Sequence, residues 1–468
     1  MANAAPAFGW DTVYAVRVGE ANRILRQATP PPFPLTFTAP YTDTISVCGD
    51  FGTWQIAPGG NDTEIHFFIP LKNLSVTVSG TTTNLGNGDV TVQVELTFVP
   101  HTDEEGKQDG ARKKLIVSPV PSGDSKPVLV VTLNLDDPKA DQTVLPVLQS
   151  AVGDWLSANV AAFAHIFAVV DHGVIAAEGK FAWALPTKSS YAFQANEKSP
   201  DDSVLAILSM TENRQPTGLT SQVTVYAIPD AAEWSFLISR NRLLESLLLP
   251  QIHDAFQGCH AGDFVMSDDG SCIILSKDEI QLHQVPDDSG KKYDCFLINF
   301  NLKIDGEILQ MDTLTRTPIS PGIEARCSNT TYQRLQLKNG DDGKQTFEIV
   351  KDREPVTTQY KCTSLGVQIA EGLAGALIMV LGAVAAIFTD GAGLVVAIIA
   401  VGLLQGIIPK IADWIGDANL SKAPAISLLL LNCTDPVQWT GGKGLLLTSA
   451  AINDSMQLAG GYAVSPPK

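Results

Sequence analysis

Between residues 90 and 98, Val90, Val92, Val94, Leu96 and Phe98 alternate with Thr91, Gln93, Glu95 and Thr97. A period of two gives an extended strand one apolar face and one wet face. The same alternation precedes it at Leu74, Val76 and Val78, and Asn87-Gly88 between the two is a hairpin signal. A second hairpin is predicted from Phe296, Ile298, Phe300, Leu302 and Ile304, which face Ile308 to Leu314 across Asp305-Gly306. A third pairs Leu335 and Leu337 with Phe347 and Ile349 across Asn339 to Gly343. Half-apolar strands joined by tight turns point to large antiparallel sheets, because parallel sheets read as continuous apolar runs.

Helical periodicity is scarce. Val16 to Arg26 fits a helix near the start. Asp141 is placed to cap a second, with Val144, Leu148, Val152 and Trp155 on one stripe. Leu243, Leu244, Leu247 and Leu248 mark a third after Asn241, ending near Pro250 or continuing to Phe256. His101–Lys114 and Ser189–Asp202 are polar and read as mobile loops.

The chain has 468 residues, which favours two to four domains. Hydrophobic residues make up 45% and charged residues 18%, which excludes a disordered or collagenous chain. Fifty acidic residues against 32 basic give a net charge of −18, the wrong sign for an electrostatic nucleic-acid binder. The seven cysteines contain no C-x-x-C spacing, which argues against a disulfide framework or a zinc cluster. Met1 to Phe8 has neither a basic nor an apolar region, so no cleavable secretory signal is visible.

A boundary is expected near Pro229–Glu233. Trp234 precedes Leu248-Leu249 by the offset that separates Trp10 from Ile24-Leu25, which suggests two similar modules. The run Leu365 to Gly416 stands apart. Eighteen uncharged residues lie between Glu371 and Asp390, and a second uncharged run follows the turn signal Asp390-Gly391-Ala392-Gly393. As a helix the first run is about 27 Å long, just short of a ~30 Å hydrocarbon core. The expectation is a helical hairpin buried in protein, with membrane insertion or lipid contact as the alternative. Leu373, Leu377, Leu381, Leu394, Ile398 and Leu403 are the candidate lipid or hydrophobic contacts.

Catalytic patterns are missing. The sequence has no G-x-S-x-G and no H-E-x-x-H. Gly340 to Gln345 lacks both the spacing of a phosphate loop and its Ser/Thr. Asp268-Asp269, Asp287-Asp288 and Asp341-Asp342 fall in turns and do not match a calcium loop. In Cys259-His260 and Asp171-His172 adjacency alone directs the side chains apart. His165, inside an apolar run, reads as a core histidine. No catalytic, metal-binding or cofactor-binding residue is assigned.

The opening Phe8-Gly9-Trp10-Asp11-Thr12-Val13-Tyr14-Ala15-Val16, followed by Asn22-Arg23-Ile24-Leu25, resembles the OrfX-type accessory proteins. These are encoded in certain botulinum neurotoxin gene clusters beside a non-toxic forty-seven-kilodalton protein. Trp234-Ser235-Phe236-Leu237-Ile238-Ser239-Arg240-Asn241 and Leu247-Leu248-Leu249-Pro250 extend the resemblance, as do the Ala/Gly-rich segment after residue 365 and the overall length. It implies an α+β protein of tubular lipid-binding (TULIP) modules, in which highly curved antiparallel sheets wrap long helices around an apolar groove. The modules would span 1–230 and 231–468, the second including the apolar hairpin 365–416. The implied function is non-enzymatic binding of a lipid or other apolar ligand, with peripheral membrane contact and other OrfX-like proteins as partners. The alternative is a scaffold that assembles with partners from the same cluster and carries no lipid. The expected location is the bacterial cytoplasm, or release without a cleaved signal peptide.

Overall fold

The computed structural model describes residues 4–28, 31–102, 108–120, 126–137, 142–163, 165–171, 182–250, 252–256, 258–287, 290–339, 345–363, 384, 437–439 and 445–462. The chain begins with β1 (Thr12–Arg17), α1 (Val18–Gln27), β2 (Thr36–Thr42), β3 (Ile45–Phe51), β4 (Gln55–Ala57), β5 (Asn61–Asp62), β6 (Glu64–Val78), β7 (Thr81–Thr102), β8 (Gln108–Val117) and β9 (Val128–Leu135). It continues through α2 (Leu145–Ala158), β10 (Ala168–Asp171), β11 (Pro186–Gln194), β12 (Val204–Thr211), β13 (Trp234–Ile238) and α3 (Arg240–Arg242), which runs on as a π-helical stretch over Leu243–Leu248. Then come β14 (Phe264–Met266), β15 (Cys272–Leu275), β16 (Ile280–Gln281), β17 (Val285–Pro286), β18 (Lys292–Tyr293), β19 (Phe296–Asp305), β20 (Ile308–Ser320), β21 (Ile323–Asn339) and β22 (Gln345–Thr363). The last described strands are β23 (Val437–Trp439), β24 (Leu445–Asn453) and β25 (Ser455–Tyr462).

Three large sheets organise these strands. The N-terminal sheet runs β2-β3-β6-β7-β8-β10-β23, with β4 on β6 and β9 on β7. The C-terminal sheet runs β14-β15-β19-β20-β21-β22, with β16 on β19. Between them lies a central sheet, β24-β25-β13-β1-β12-β11-β5, with strands from both ends of the chain. Its strands alternate between two cores. Tyr14 and Val16 of β1 face the main core, which extends into both flanking sheets, and Val13 and Ala15 face a smaller core with Trp10, Val223, Ala227 and Ile228. All eight residues of β12 are buried. This central antiparallel strand therefore reads as a continuous apolar run, the pattern expected of parallel sheets, because both of its faces are covered.

The expectation of long helices wrapped by sheet is overturned. The longest described helix is α2, 14 residues, and the sheets curl mainly around side chains. Local sequence sets the limit. Pro30, Pro31 and Pro32 follow closely on α1, and Pro250 follows α3, and proline cannot continue a helix. No apolar helical hairpin is found among the described residues, and the segment expected to form it, 365–416, lies outside them apart from Val384. Its six candidate contacts, Leu373, Leu377, Leu381, Leu394, Ile398 and Leu403, lie outside the described residues. Within that stretch only Val384 is described, and it is buried in the main core.

Two of the three hairpins form as expected. Asp305 pairs with Ile308 around Gly306, and Leu335 and Leu337 pair with Ile349 and Phe347. In the first hairpin the turn lies elsewhere, at Ser79-Gly80, whose φ values of 50° and 86° suit a tight hairpin turn. Asn87-Gly88 sits instead within β7, at an irregularity opposite Leu71–Leu74. There a Cβ on Gly88 would lie 2.2 Å from the Asn134 carbonyl oxygen, so glycine permits the close approach of β9. The stretches read as loops are largely strand: His101–Lys114 belongs mostly to β7 and β8, and Ser189–Gln194 to β11. Their outward polar residues reflect one-sided exposure.

A buried ion network fastens α3 to the first half of the chain. Arg242, 1% exposed, reaches Glu212 at 2.7 Å and Glu245 at 2.9 Å and donates to the Trp183 carbonyl. Arg214 pairs with Asp11 at 3.1 Å.

Candidate functional site

Helix α2 packs on the inner face of the N-terminal sheet through Leu148, Ala151, Val152 and Leu156. At Gly153 an added Cβ would lie 3.0 Å from the Val130 side chain, so the helix sits close against β9. Beneath and beside it lies an aromatic ladder. Trp54 stacks on Phe163 at 4.7 Å and 19°, Phe67 meets Phe163 edge-on at 5.2 Å, and Phe37 and Phe51 pack against Trp155. These rings come from separate strands and loops, and the curl of the sheet brings them together.

The ladder encloses a cavity of about 20 Å³ lined by Pro34, Trp54, Phe67, Val92, Val94, Val117, Val128, Trp155, Leu156, Asn159, Val160 and Phe163. A second cavity of about 20 Å³ lies among Val16, Glu20, Ala21, Ile24, His165, Phe167, Leu205, Trp439 and Tyr462. Phe163 and Phe167, 6.3 Å apart, connect the two. Each void holds about one water, far below the ~300 Å³ of a small-ligand pocket. The interior is thus apolar, continuous and filled by the protein's own rings.

Three polar atoms break that apolar lining. Trp54 Nε1 in the first cavity, and Trp439 Nε1 and the Tyr462 hydroxyl in the second, are buried without a hydrogen-bond partner among the described residues. Most buried polar groups are paired, and an orphaned donor carries a desolvation cost of roughly 1–3 kcal/mol. Burial raises the Tyr462 phenol further above its usual range, so it stays a neutral donor. His165, edge-on to Phe167 at 4.7 Å, is held down at about 4 by burial and is neutral at pH 7. It is the core histidine the sequence suggested. Glu20 bonds Arg23, leaving no free charge in the lining.

The residues of the resemblance act as fasteners. Trp10 Nε1 donates to the Thr220 carbonyl at 2.9 Å, and the Asp11 carboxylate accepts from the Thr211 amide and hydroxyl. Buried Asn22 both donates to and accepts from the backbone of Ile56, joining α1 to β4. Trp234 Nε1 donates to the Gly461 carbonyl. Cys259-His260 offers no thiolate at neutral pH, since burial and then Asp263 push the thiol up to about 12. Asp171 pairs with Arg112 at 2.9 Å. The aromatic ladder escaped sequence reasoning; the only signal was an unusual density of Phe and Trp in residues 33–67.

A family model described as OrfX-like, Protein OrfX2/OrfX3/P47, matches residues 7–460. The chain belongs to the OrfX-like family. It is 27% identical to Protein OrfX3 of Paraclostridium bifermentans over 484 aligned positions, covering 97% of this chain and 98% of that protein. To Protein OrfX3 of Clostridium botulinum (strain Kyoto / Type A2) it is 26% identical, covering 96% and 97%. Its fold is similar to that of P47 from Clostridium botulinum A2, with a TM-score of 0.64 at 16% identity over 98% of each chain. P47 of Clostridium botulinum E1 gives 0.61 at 17% identity, covering 97% of this chain and 100% of that one. The OrfX-like match extends over residues from all three sheets.

Proposed function

We propose that this OrfX-like protein is a non-enzymatic binder of a lipid or other apolar ligand, which enters the interior beneath α2. The observation that carries the reading is the set of buried donors without a partner among the described residues, Trp54 Nε1, Trp439 Nε1 and the Tyr462 hydroxyl, in a mostly apolar, ring-lined interior. A molecule with an acyl chain and one acceptor oxygen, such as a fatty acid or an ester lipid, matches that chemistry. Each methylene buried contributes ~0.8 kcal/mol. Entry at these two voids requires α2 or the Trp54–Phe163 stack to move, because among the described residues each holds only about one water. Native mass spectrometry and organic extraction of the purified full-length protein test the proposal. A stoichiometric co-purifying lipid, or uptake of a fluorescent fatty acid that Trp54→Phe weakens, is expected. Absence of both, with blank liposome flotation, would overturn it.

A scaffold role with other OrfX-like proteins is supported by a different feature. Strand β22 is 19 residues long, is paired on one side only among the described residues, and exposes Val356 and Tyr360. An open strand edge is a template for pairing with another chain. Co-expression with neighbouring genes should then yield a stable complex that a proline at Thr358 disrupts.

A further inference from the structure

On the far side of the central sheet from the aromatic interior, an open cleft of about 700 Å³ lies between β5, the end of β11 and the loop at 222–226. Its volume is within the range of small-molecule sites. Two of the exposed aromatic rings, Phe8 and Tyr226, line it. Phe8 stands out because the fold works to expose it. Ala7 before it and Trp10 after it are buried, yet Phe8 is 38% exposed. Its φ is +50°, a conformation that bulky residues avoid. Gly9 follows at φ +88° against Leu219, and Trp10 is anchored to Thr220. Glycine or asparagine would make this reversal with less strain, and neither would place a ring in the cleft.

The polar part of the remaining lining is chiefly amide and carboxylate, beside Lys198 and Thr224. Asn61 and Asp62 are fixed by backbone pairing with Gln194 and Phe193, and their side chains and that of Gln222 take no hydrogen bond from the described residues. The Tyr226 backbone is held by the Thr224 hydroxyl and by Gln457. Exposed rings on a hydrogen-bonded backbone, with amides and carboxylates in the same lining, suit a pyranose. The apolar C–H face of the sugar stacks on a ring while its hydroxyls exchange hydrogen bonds with groups that both donate and accept. Glu197 and Lys198 also line the cleft with opposite charges, so with Asp62 the lining is net acidic, which disfavours anionic sugars.

We propose that this cleft is a carbohydrate-binding site for neutral oligosaccharides, with Phe8 and Tyr226 as stacking platforms and Asn61, Asp62 and Gln222 as hydroxyl partners. The test is a glycan array of neutral, sialylated and sulfated oligosaccharides, followed by saturation-transfer NMR titration of the strongest binder. Binding confined to neutral glycans is expected. Phe8→Gly removes the ring and the backbone strain together, so it should lose at least tenfold in affinity with the melting temperature kept or raised. Tyr226→Ala and Gln222→Ala should each weaken binding severalfold with unchanged circular dichroism. A blank array, hits only among anionic glycans, or neutral binding that survives in the Phe8→Gly/Tyr226→Ala double variant would overturn the proposal.

Discussion

The two flanking sheets fill their concave faces in opposite ways. The N-terminal sheet faces its interior with Phe37, Phe51, Phe67, Val92 and Val94 and carries α2 across them. The C-terminal sheet begins similarly, with Phe300, Leu302, Leu309 and Met311 packed near Phe256 and Phe264. Farther along β20 and β21 the buried positions include Thr313, Thr315, Thr317, Asn329, Thr331 and Gln333, interspersed with Ile319, Ile323, Ala325, Cys327 and Leu335. Some of these pair across the strands: Thr313 and Thr315 donate to the Asn329 and Cys327 carbonyls, and Thr357 donates to the Asn329 side chain. The Thr331 hydroxyl and Asn329 Nδ2 are left without partners. Both sheets alternate with the same period, so burial alone does not make an apolar core. Ring-filled curvature supplies stability, whereas a hydroxyl-lined face gives much of it up in desolvation.

Truncation should separate the sheets most sharply. Phe163→Ala removes the ring that links Trp54, Phe67 and Phe167, and should cost about 3–5 kcal/mol in chemical denaturation. Should it cost under ~1 kcal/mol, the N-terminal interior is not the packed side of the comparison. Next comes acid. His165 sits at about 4 when folded against ~6.5 when unfolded, so the unfolded chain takes up its proton first as pH falls. Its contribution is intact above pH 6.5, declines between 6.5 and 4 by roughly 3 kcal/mol, and changes no further below that. His165→Phe should flatten that part of the pH–stability curve relative to wild type. Gly153→Val tests the contact of α2 with β9; overpacking there should cost ~1–3 kcal/mol and lower the melting temperature. The smallest effect carries the opposite sign. Thr331→Val replaces an orphaned buried hydroxyl with a methyl group and should leave stability unchanged or raise it by up to ~1 kcal/mol. A clear loss would mean that the hydroxyl has a partner, such as an ordered water.

Much of the sheet content was legible because alternation is a local property of the chain. Val90 to Phe98 and Phe296 to Ile304 show their strand period directly. The Asn87-Gly88 dipeptide misled because what glycine relieves there is the approach of β9, a contact made some 45 residues away in sequence. Helix lengths were overstated by the family expectation, while the prolines after α1 and α3 already limited them. The candidate interior was not legible, since Trp54 meets Phe163, and Trp439 meets Tyr14, only through tertiary structure. Cleft residues such as Phe8 were read as part of a family opening, and nothing in the order of residues shows that one of that set points to solvent.

The pairing of β10 with β23, Ala168 opposite Trp439, has a consequence for synthesis. Tyr14 rests edge-on against that same Trp439 at 6.1 Å. When Trp234 leaves the ribosome, the N-terminal sheet still lacks its last strand, and about 200 further residues must be made before it arrives, roughly 10–40 s at ~5–20 residues per second. During that interval the edge of β10 lacks its β23 partner and the second cavity lacks Trp439 and Tyr462 from its lining. A nascent chain of this protein therefore carries an unpaired sheet edge for about 10–40 s, a template on which another chain can pair.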